Sequence, residues 1–227
     1  MIKALFCDFY GTVVFEDDEP IHAITARIFE TGNADSEKEI GAFWSDRFFS
    51  LCAEAHGKCF RTQRDLELLS LRETLERFGS PEDAERLSKP QFDYWQRPPL
   101  FDDAKTFFVR CPVPVYIVSN IDTADLQCAL DFHGLRPAGI VTSEQAQAYK
   151  PRAEMFEYAL RKFGLQRNEV LHIGDSFGSD ILGAENAGIE AVWINRKGRT
   201  PPRGAFRQTN GLTEIIDIIN EHVIGEP

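Results

Sequence analysis

A chain of 227 residues with 43% hydrophobic and 27% charged residues has the composition of an ordinary folded protein and enough length to bury a sizeable core. Its 25 Lys and Arg against 36 Asp and Glu give a net charge of −11, which excludes a broad nucleic-acid surface and leaves room for a local positive site. No apolar run reaches membrane-spanning length, and the first residues read as a strand rather than a secretory signal.

Taken in order, Ile2 to Phe6 is rich in branched and aromatic residues and predicts a strand buried on both faces. It ends at Cys7-Asp8, followed by Phe9-Tyr10-Gly11-Thr12. Alone, Asp8 reads equally as a turn residue or as a ligand-facing carboxylate at a strand's carboxyl end. Glu16-Asp17-Asp18-Glu19-Pro20 is a polar exit, and residues 16 to 98 then show helical periodicity and no convincing strand. Ser36 with Glu39 predicts a capping box for a helix through Phe43 and Trp44. Leu68, Leu71, Leu75 and Phe78 share a helix face closed by Gly79, and Ser80-Pro81 predicts the start of the next helix. In this insert Trp44, Phe48 and Phe49 read as packing residues rather than ligand contacts.

After the Gln96-Arg97-Pro98-Pro99 linker, strand and helix alternate. Strands are predicted at Val113–Val118, Gly139–Thr142, Val170–Ile173 and Ala191–Ile194. Between them, Asp122 or Thr123 caps a helix that stops at Gly134, and a second helix carries Met155, Phe156, Ala159, Leu160 and Phe163 up to Gly164. A last helix carries Leu212, Ile215, Ile216 and Ile219. This pattern predicts an α/β fold: a doubly wound parallel sheet built from residues 1–15 and 99–227, with helices 16–98 inserted.

Four polar clusters fall at the carboxyl edge of that sheet: Asp8, Ser119-Asn120, Lys150, and Asp175 with Asp180. In a parallel sheet they converge, and a nucleophile-grade carboxylate, a hydroxyl, an ammonium and further carboxylates suit a phosphate held over a hard cation. Bland alternatives exist for each. Lys150 reads also as a loop lysine, Ser119-Asn120 as a capping pair, Asp180 as a helix cap, and His172 as a satisfied core histidine. His22, His56, His133 and His222 are scattered and suggest no metal site. Arg196, Lys197, Arg199, Arg203 and Arg207 read as a solvated connection that could reach the site's rim. Cys7, Cys52, Cys59, Cys111 and Cys128 are odd in number and dispersed without a CxxC pair, which predicts reduced thiols and a cytoplasmic location.

Asp8-Phe9-Tyr10-Gly11-Thr12, Ser119-Asn120, Tyr149-Lys150-Pro151 and Gly174-Asp175-Ser176-Phe177-Gly178-Ser179-Asp180 resemble, in order, the four motifs of the haloacid dehalogenase superfamily. The resemblance implies a Rossmann-like core with a small helical cap and hydrolysis through an aspartyl intermediate. It carries catalytic roles onto Asp8, Tyr10, Thr12, Ser119, Asn120, Lys150 and Asp180. Its phosphatases usually place a second Asp where this chain has Tyr10, whereas its metal-free 2-haloacid dehalogenases place Tyr there. The phosphatase spacing of the fourth motif is met by Asp175 and Asp180, where the dehalogenases have Ser and Asn at the positions of Asp175 and Phe177. Two dehalogenase positions fail: their Tyr after the Lys is Phe156, and their carboxylate-gripping Arg aligns with Ser45, with Arg47 on the wrong face of the helix.

Three converging carboxylates repel unless a cation is bound. The expected set for Mg²⁺ is Asp8, Asp175 and the Tyr10 backbone carbonyl, with Asp180 in support behind them. The favoured expectation is therefore an Mg²⁺-dependent phosphatase acting on a small anionic phosphomonoester, without nucleic-acid or membrane partners and with no oligomeric state indicated. A metal-independent 2-haloacid dehalogenase is the alternative, and a weakly catalytic ligand-binding protein the third.

Overall fold

The computed structural model describes residues 1–201 and 206–224; Arg203 and the side chain of His222 lie outside the described residues. The first strand, β1 (Ala4–Cys7), forms where the sequence is apolar on both sides of the pleat, and all four residues are buried. Four helices follow before the next strand: α1 (Asp18–Thr31), α2 (Glu37–Glu54), α3 (Gln63–Arg77) and α4 (Ala84–Gln96). The chain then runs through α5 (Ala104–Arg110), β2 (Val115–Ser119), α6 (Thr123–His133), β3 (Gly139–Thr142), α7 (Ser143–Ala146) and α8 (Ala153–Phe163). It ends in β4 (Val170–Gly174), a π-helical turn over Phe177–Leu182 continuing into α9 (Gly183–Asn186), β5 (Glu190–Ile194), β6 (Gln208–Thr209) and α10 (Thr213–Ile224).

The six strands form one parallel sheet in the order β3-β2-β1-β4-β5-β6. The order reverses between β1 and β4, and the crevice beyond the carboxyl ends at such a reversal is where doubly wound sheets hold ligands. Alternation along each strand feeds two packed faces. Leu5, Cys7, Ile117, Leu171 and Ile173 join Phe107, Leu126, Ala129, Ile215 and Ile219 on one side. Phe6, Val118 and Val170 join Met155, Phe156, Ala159 and Ala184 on the other. Each large apolar side chain so buried contributes about 1.5–3 kcal/mol relative to exposure, which makes the strand ends a rigid base. Cys7 is a core residue here, and burial raises its thiol far from reactivity.

The insert helices have their own core of Ile24, Ile28, Ile40, Trp44, Leu71, Leu75, Phe78 and Ala84. Ser36 caps α2 by accepting from the Glu39 amide, but the Glu39 carboxylate returns to the Asp35 amide, one residue earlier than a capping box requires. Helix α4 starts later than Ser80-Pro81 predicts. The Asp83 side chain accepts from the Arg86 amide and sets the start, while the Ser80 hydroxyl is paired with Thr31. The expected cap of α6 is also displaced: Glu144 accepts from the Thr123 amide. The Asp122 carboxylate accepts instead from Gln63 and Arg64 N–H, adding to the cap that Thr62 gives α3 of the insert by accepting from the Asp65 amide. Strand β6 was not expected; two residues of pairing with β5 leave no periodicity to read.

Candidate active site

Asp8 sits one residue beyond β1, and its backbone N–H extends the ladder by donating to the Ile173 carbonyl at 2.9 Å. A turn follows in which the Val13 and Val14 amides both donate to the Phe9 carbonyl. Gly11 takes φ +84°, and a Cβ there would stand 2.4 Å from Asp175 Oδ1, so only glycine lets this turn pass against the β4 edge. The turn returns Thr12 Oγ1 to Asp8, where it donates to Oδ2 at 3.2 Å.

Lys150 comes from the loop between α7 and α8 and is fixed through its main chain. The Asn120 side chain accepts from the Lys150 N–H at 2.7 Å and donates to its carbonyl at 3.1 Å. Asn120 therefore joins the β2 exit to the lysine loop rather than capping a helix. The Lys150 ammonium, 2% exposed, donates to Asp8 Oδ1 and Asp180 Oδ1, each at 2.6 Å. Burial works against this ammonium, but the two carboxylates outweigh it and raise its pKa, so it stays charged.

Asp180 lies in the π-helical turn after β4 with both oxygens engaged. Oδ1 accepts from Lys150 and from His172 Nε2 at 3.0 Å, and Oδ2 accepts from the Ser176 amide at 3.0 Å. Burial works to raise this carboxyl, yet Lys150 and His172 win and hold it below its ordinary value. Helix capping falls to Ser176, whose hydroxyl accepts from the Ser179 amide. Gly174 makes room for the arrangement, since a Cβ there would meet Asp180 Cγ at 2.2 Å. His172 is fully buried, and burial lowers its pKa; facing an acceptor-only carboxylate, the neutral ring is assigned as Nε2–H donor. It is the core histidine expected, and its hydrogen bond supports Asp180.

Asp175 is paired with Arg199 rather than with Lys150. Burial first, then Asp8 and Asp180, push it up to about 8, while Arg199 pulls it down only in part from 3.1 Å. Burial likewise raises Asp8, to about 6, against Lys150. One oxygen of each of Asp8, Asp175 and Asp180 lies within 4.8 Å of the others. Ser119, the last residue of β2, and Tyr10 line the same cavity, of about 220 Å³. Every residue carried over from the motifs is thereby brought to one place.

The match to the family model for haloacid dehalogenase-like hydrolases runs over residues 2–188, and so takes in all four motif stretches. The chain belongs to this family. Among curated relatives, it is 37% identical over 119 residues to the pyrimidine 5′-nucleotidase YjjG of Escherichia coli, covering 50% of this chain and 53% of that protein. It is 31% identical over 135 residues to a phosphoserine phosphatase of Thermus thermophilus, covering 55% and 53%. The chain thus spans about half the length of these relatives. Solved structures share the fold: the L-2-haloacid dehalogenase of Xanthobacter autotrophicus, with TM-score 0.75, 18% identity and coverage of 97% and 99%, and the HAD-hydrolase YfnB of Bacillus subtilis bound to magnesium, with TM-score 0.73, 22% identity and coverage of 96% and 99%.

Within this haloacid dehalogenase-like frame, the roof of the cavity differs from expectation. Phe48 and Phe49 both line it: Phe48 also packs against Leu51, Cys52, Ala55, Leu66 and Tyr149, as expected, whereas Phe49 is 61% exposed. Trp44 does pack, with its indole N–H donating to Ser70. Arg47 is held away by Glu73. The basic loop after β5 is exposed at Lys197 and Arg199, as expected of a solvated connection, and it also reaches the rim: Arg196 pairs with Asp103 and donates to the Thr12 carbonyl, and Arg199 reaches Asp175. These long-range partners leave no signal in local spacing.

Proposed function

We propose that the protein is an Mg²⁺-dependent phosphatase acting on a small phosphomonoester, with residues 16–98 acting as a cap over a core of residues 1–15 and 99–227. The carrying observation is the buried trio of Asp8, Asp175 and Asp180, one carboxylate oxygen of each lying within 4.8 Å of the others. The donor set suits a hard divalent ion: Asp8, Asp175 and the Tyr10 carbonyl would hold it, with Asp180 behind them. When bound, Mg²⁺ supplies positive charge that offsets the carboxylates and the phosphoryl oxygens.

An Asp8 oxygen attacks phosphorus, the P–O bond to the alcohol breaks, and the alcohol leaves with that electron pair. Lys150 is aimed at the same carboxylate and offsets charge on the transferring group together with Ser119. Water then attacks phosphorus and returns orthophosphate and free Asp8. The weak point is proton supply. Tyr10 donates its hydroxyl to the Trp95 carbonyl, and burial raises the phenol well above its ordinary value, so it is neither a free acid nor a base. Turnover is therefore slow, favours good leaving groups, and allows the aspartyl-phosphate to persist.

Tyr10 favours a second reading, metal-free 2-haloacid dehalogenation. Against it, Arg47 is tied to Glu73, and among the described residues the one Lys or Arg lining the active-site cavity is Lys150, already held by Asp8 and Asp180. A screen of phosphate esters and 2-haloacids, with and without Mg²⁺ and chelator, decides between them. Chelator-sensitive phosphate release is expected; halide release indifferent to chelator would overturn the phosphatase reading.

A further inference from the structure

A second cavity, of about 240 Å³, opens inside the cap and shares Glu16, Asp17, Phe48, Phe49, Gln63 and Trp95 with the active-site cavity. Deep in it lie Asp17, Gln91 and Glu67, residues from three different helical segments. The Gln91 amide nitrogen donates to Asp17 Oδ2 at 2.8 Å and to Glu67 Oε1 at 3.1 Å. Two carboxyl acceptors on one nitrogen fix the orientation of the amide. Its other end, Gln91 Oε1, is buried on a residue 2% exposed and has no hydrogen-bond partner. A buried amide oxygen left bare forfeits a hydrogen bond that a ligand donor would restore.

Asp17 adds an independent sign. It occupies the N-cap position of α1, where a carboxylate ordinarily accepts from its own helix, yet it caps nothing. It turns to Gln91 and to the Trp95 indole N–H at 2.7 Å. Neither Asp17 nor Glu67 has a cation beside it among the described residues, and burial pushes both upward, Glu67 to about 8. The walls are aromatic: Trp44, Phe48 and Trp95. Two carboxyl groups with no cation beside them, one bare amide oxygen and ring faces around them are complementary to an ammonium group.

We infer that the cap cavity reads a protonated amine on the alcohol part of the phosphomonoester, held by Asp17, Glu67 and Gln91 Oε1. This rests on the phosphatase reading, because the ester must place its phosphorus at Asp8. Entry of the ammonium supplies the missing cation and the missing donor together. It discriminates against uncharged alcohols, which leave the buried carboxyl groups without a counter-charge.

The test compares ω-aminoalkyl phosphates with ω-hydroxyalkyl phosphates of matched chain length from two to six carbons, beside p-nitrophenyl phosphate and nucleoside monophosphates. Phosphate release and binding by calorimetry are both measured. At the chain length that spans the two cavities, the amine is expected to be preferred at least tenfold in kcat/KM. Asp17→Asn and Glu67→Gln are each expected to bring that ratio toward one. Ratios near one at every length in the wild-type protein overturn the inference while hydrolysis of p-nitrophenyl phosphate leaves the phosphatase reading standing. Nucleoside monophosphates outperforming every amine also overturn it. If no ester is hydrolysed, the phosphatase reading falls, and the amine is judged by binding alone, where equal Kd values overturn it.

Discussion

The active site and the cap cavity are both built around buried carboxyl groups, and they manage the charge in opposite ways. At the sheet edge the chain supplies its own cation: Lys150 is shared by Asp8 and Asp180, and His172 and Ser176 complete the donors around Asp180. In the cap, Asp17 and Glu67 are bridged only by the neutral Gln91 amide. A charge partnered by the chain is pre-organised whether or not a ligand is present. A charge without such a partner holds its acidity back until a cation arrives. The difference separates a site built for chemistry from one built for recognition.

Removing the built-in cation breaks the comparison most severely. Lys150→Met leaves two buried carboxylates facing each other, and phosphate release is expected to fall at least ~10³-fold with a clear drop in Tm. Retention of a tenth of wild-type kcat would show that the lysine is not what organises the site. Next in size is Gly11→Ala. Its methyl group meets Asp175 at a positive φ; the expected outcome is about 1–3 kcal/mol of destabilisation in urea unfolding and loss of the Tm gain from Mg²⁺. An unchanged Mg²⁺ response would separate the turn from the carboxylate trio. Tyr10→Asp restores a proton donor beside Asp8 and is expected to raise turnover of alkyl phosphates about 10²-fold, with little change for p-nitrophenyl phosphate. Equal gains on both leaving groups would place the defect elsewhere than in proton transfer.

The smallest effect sharpens the cap side. Glu67 has a folded-state pKa of about 8 against an ordinary 4.5. A raised carboxyl contributes stability fully below about pH 4.5, and that contribution is lost as pH rises through 8. Glu67→Gln removes the loss, so its stability relative to wild type is expected to improve steadily as pH rises from 5 to 9. Parallel pH profiles for the two proteins in urea unfolding would mean that the carboxyl is not strained by burial.

What could be read in the sequence follows from distance along the chain. The strands were legible because burial on both faces imposes a local apolar run, as in Ala4–Cys7 and Val170–Gly174. Asp8 and Asp175 were legible because strand ends of a parallel sheet must share an edge. Arg199 was not, because its partner lies 24 residues away across a loop with no periodicity. The Asp17–Gln91 pair spans 74 residues and the Glu67–Gln91 pair 24, so neither leaves a spacing to detect. That Phe48 and Phe49 also line the cavity was not legible, because a helical aromatic face looks the same whether it meets another helix or a cavity.

The reach of Asp122 to α3 has a consequence for modularity. Helix α3 begins in the inserted segment under its own cap, Thr62, but two further amides of its first turn donate to Asp122, and the guanidinium of Arg64 is gripped by Asp125, with both oxygens used. Both acids come from the strand-to-helix junction that also presents Ser119. Residues 16–98 are therefore not a cassette: transplanted onto another core, they would bring a helix with two first-turn amides left without a partner and an arginine without its fork. A working graft would have to carry Asp122 and Asp125 with it, so the unit that can be exchanged is larger than the segment that is inserted.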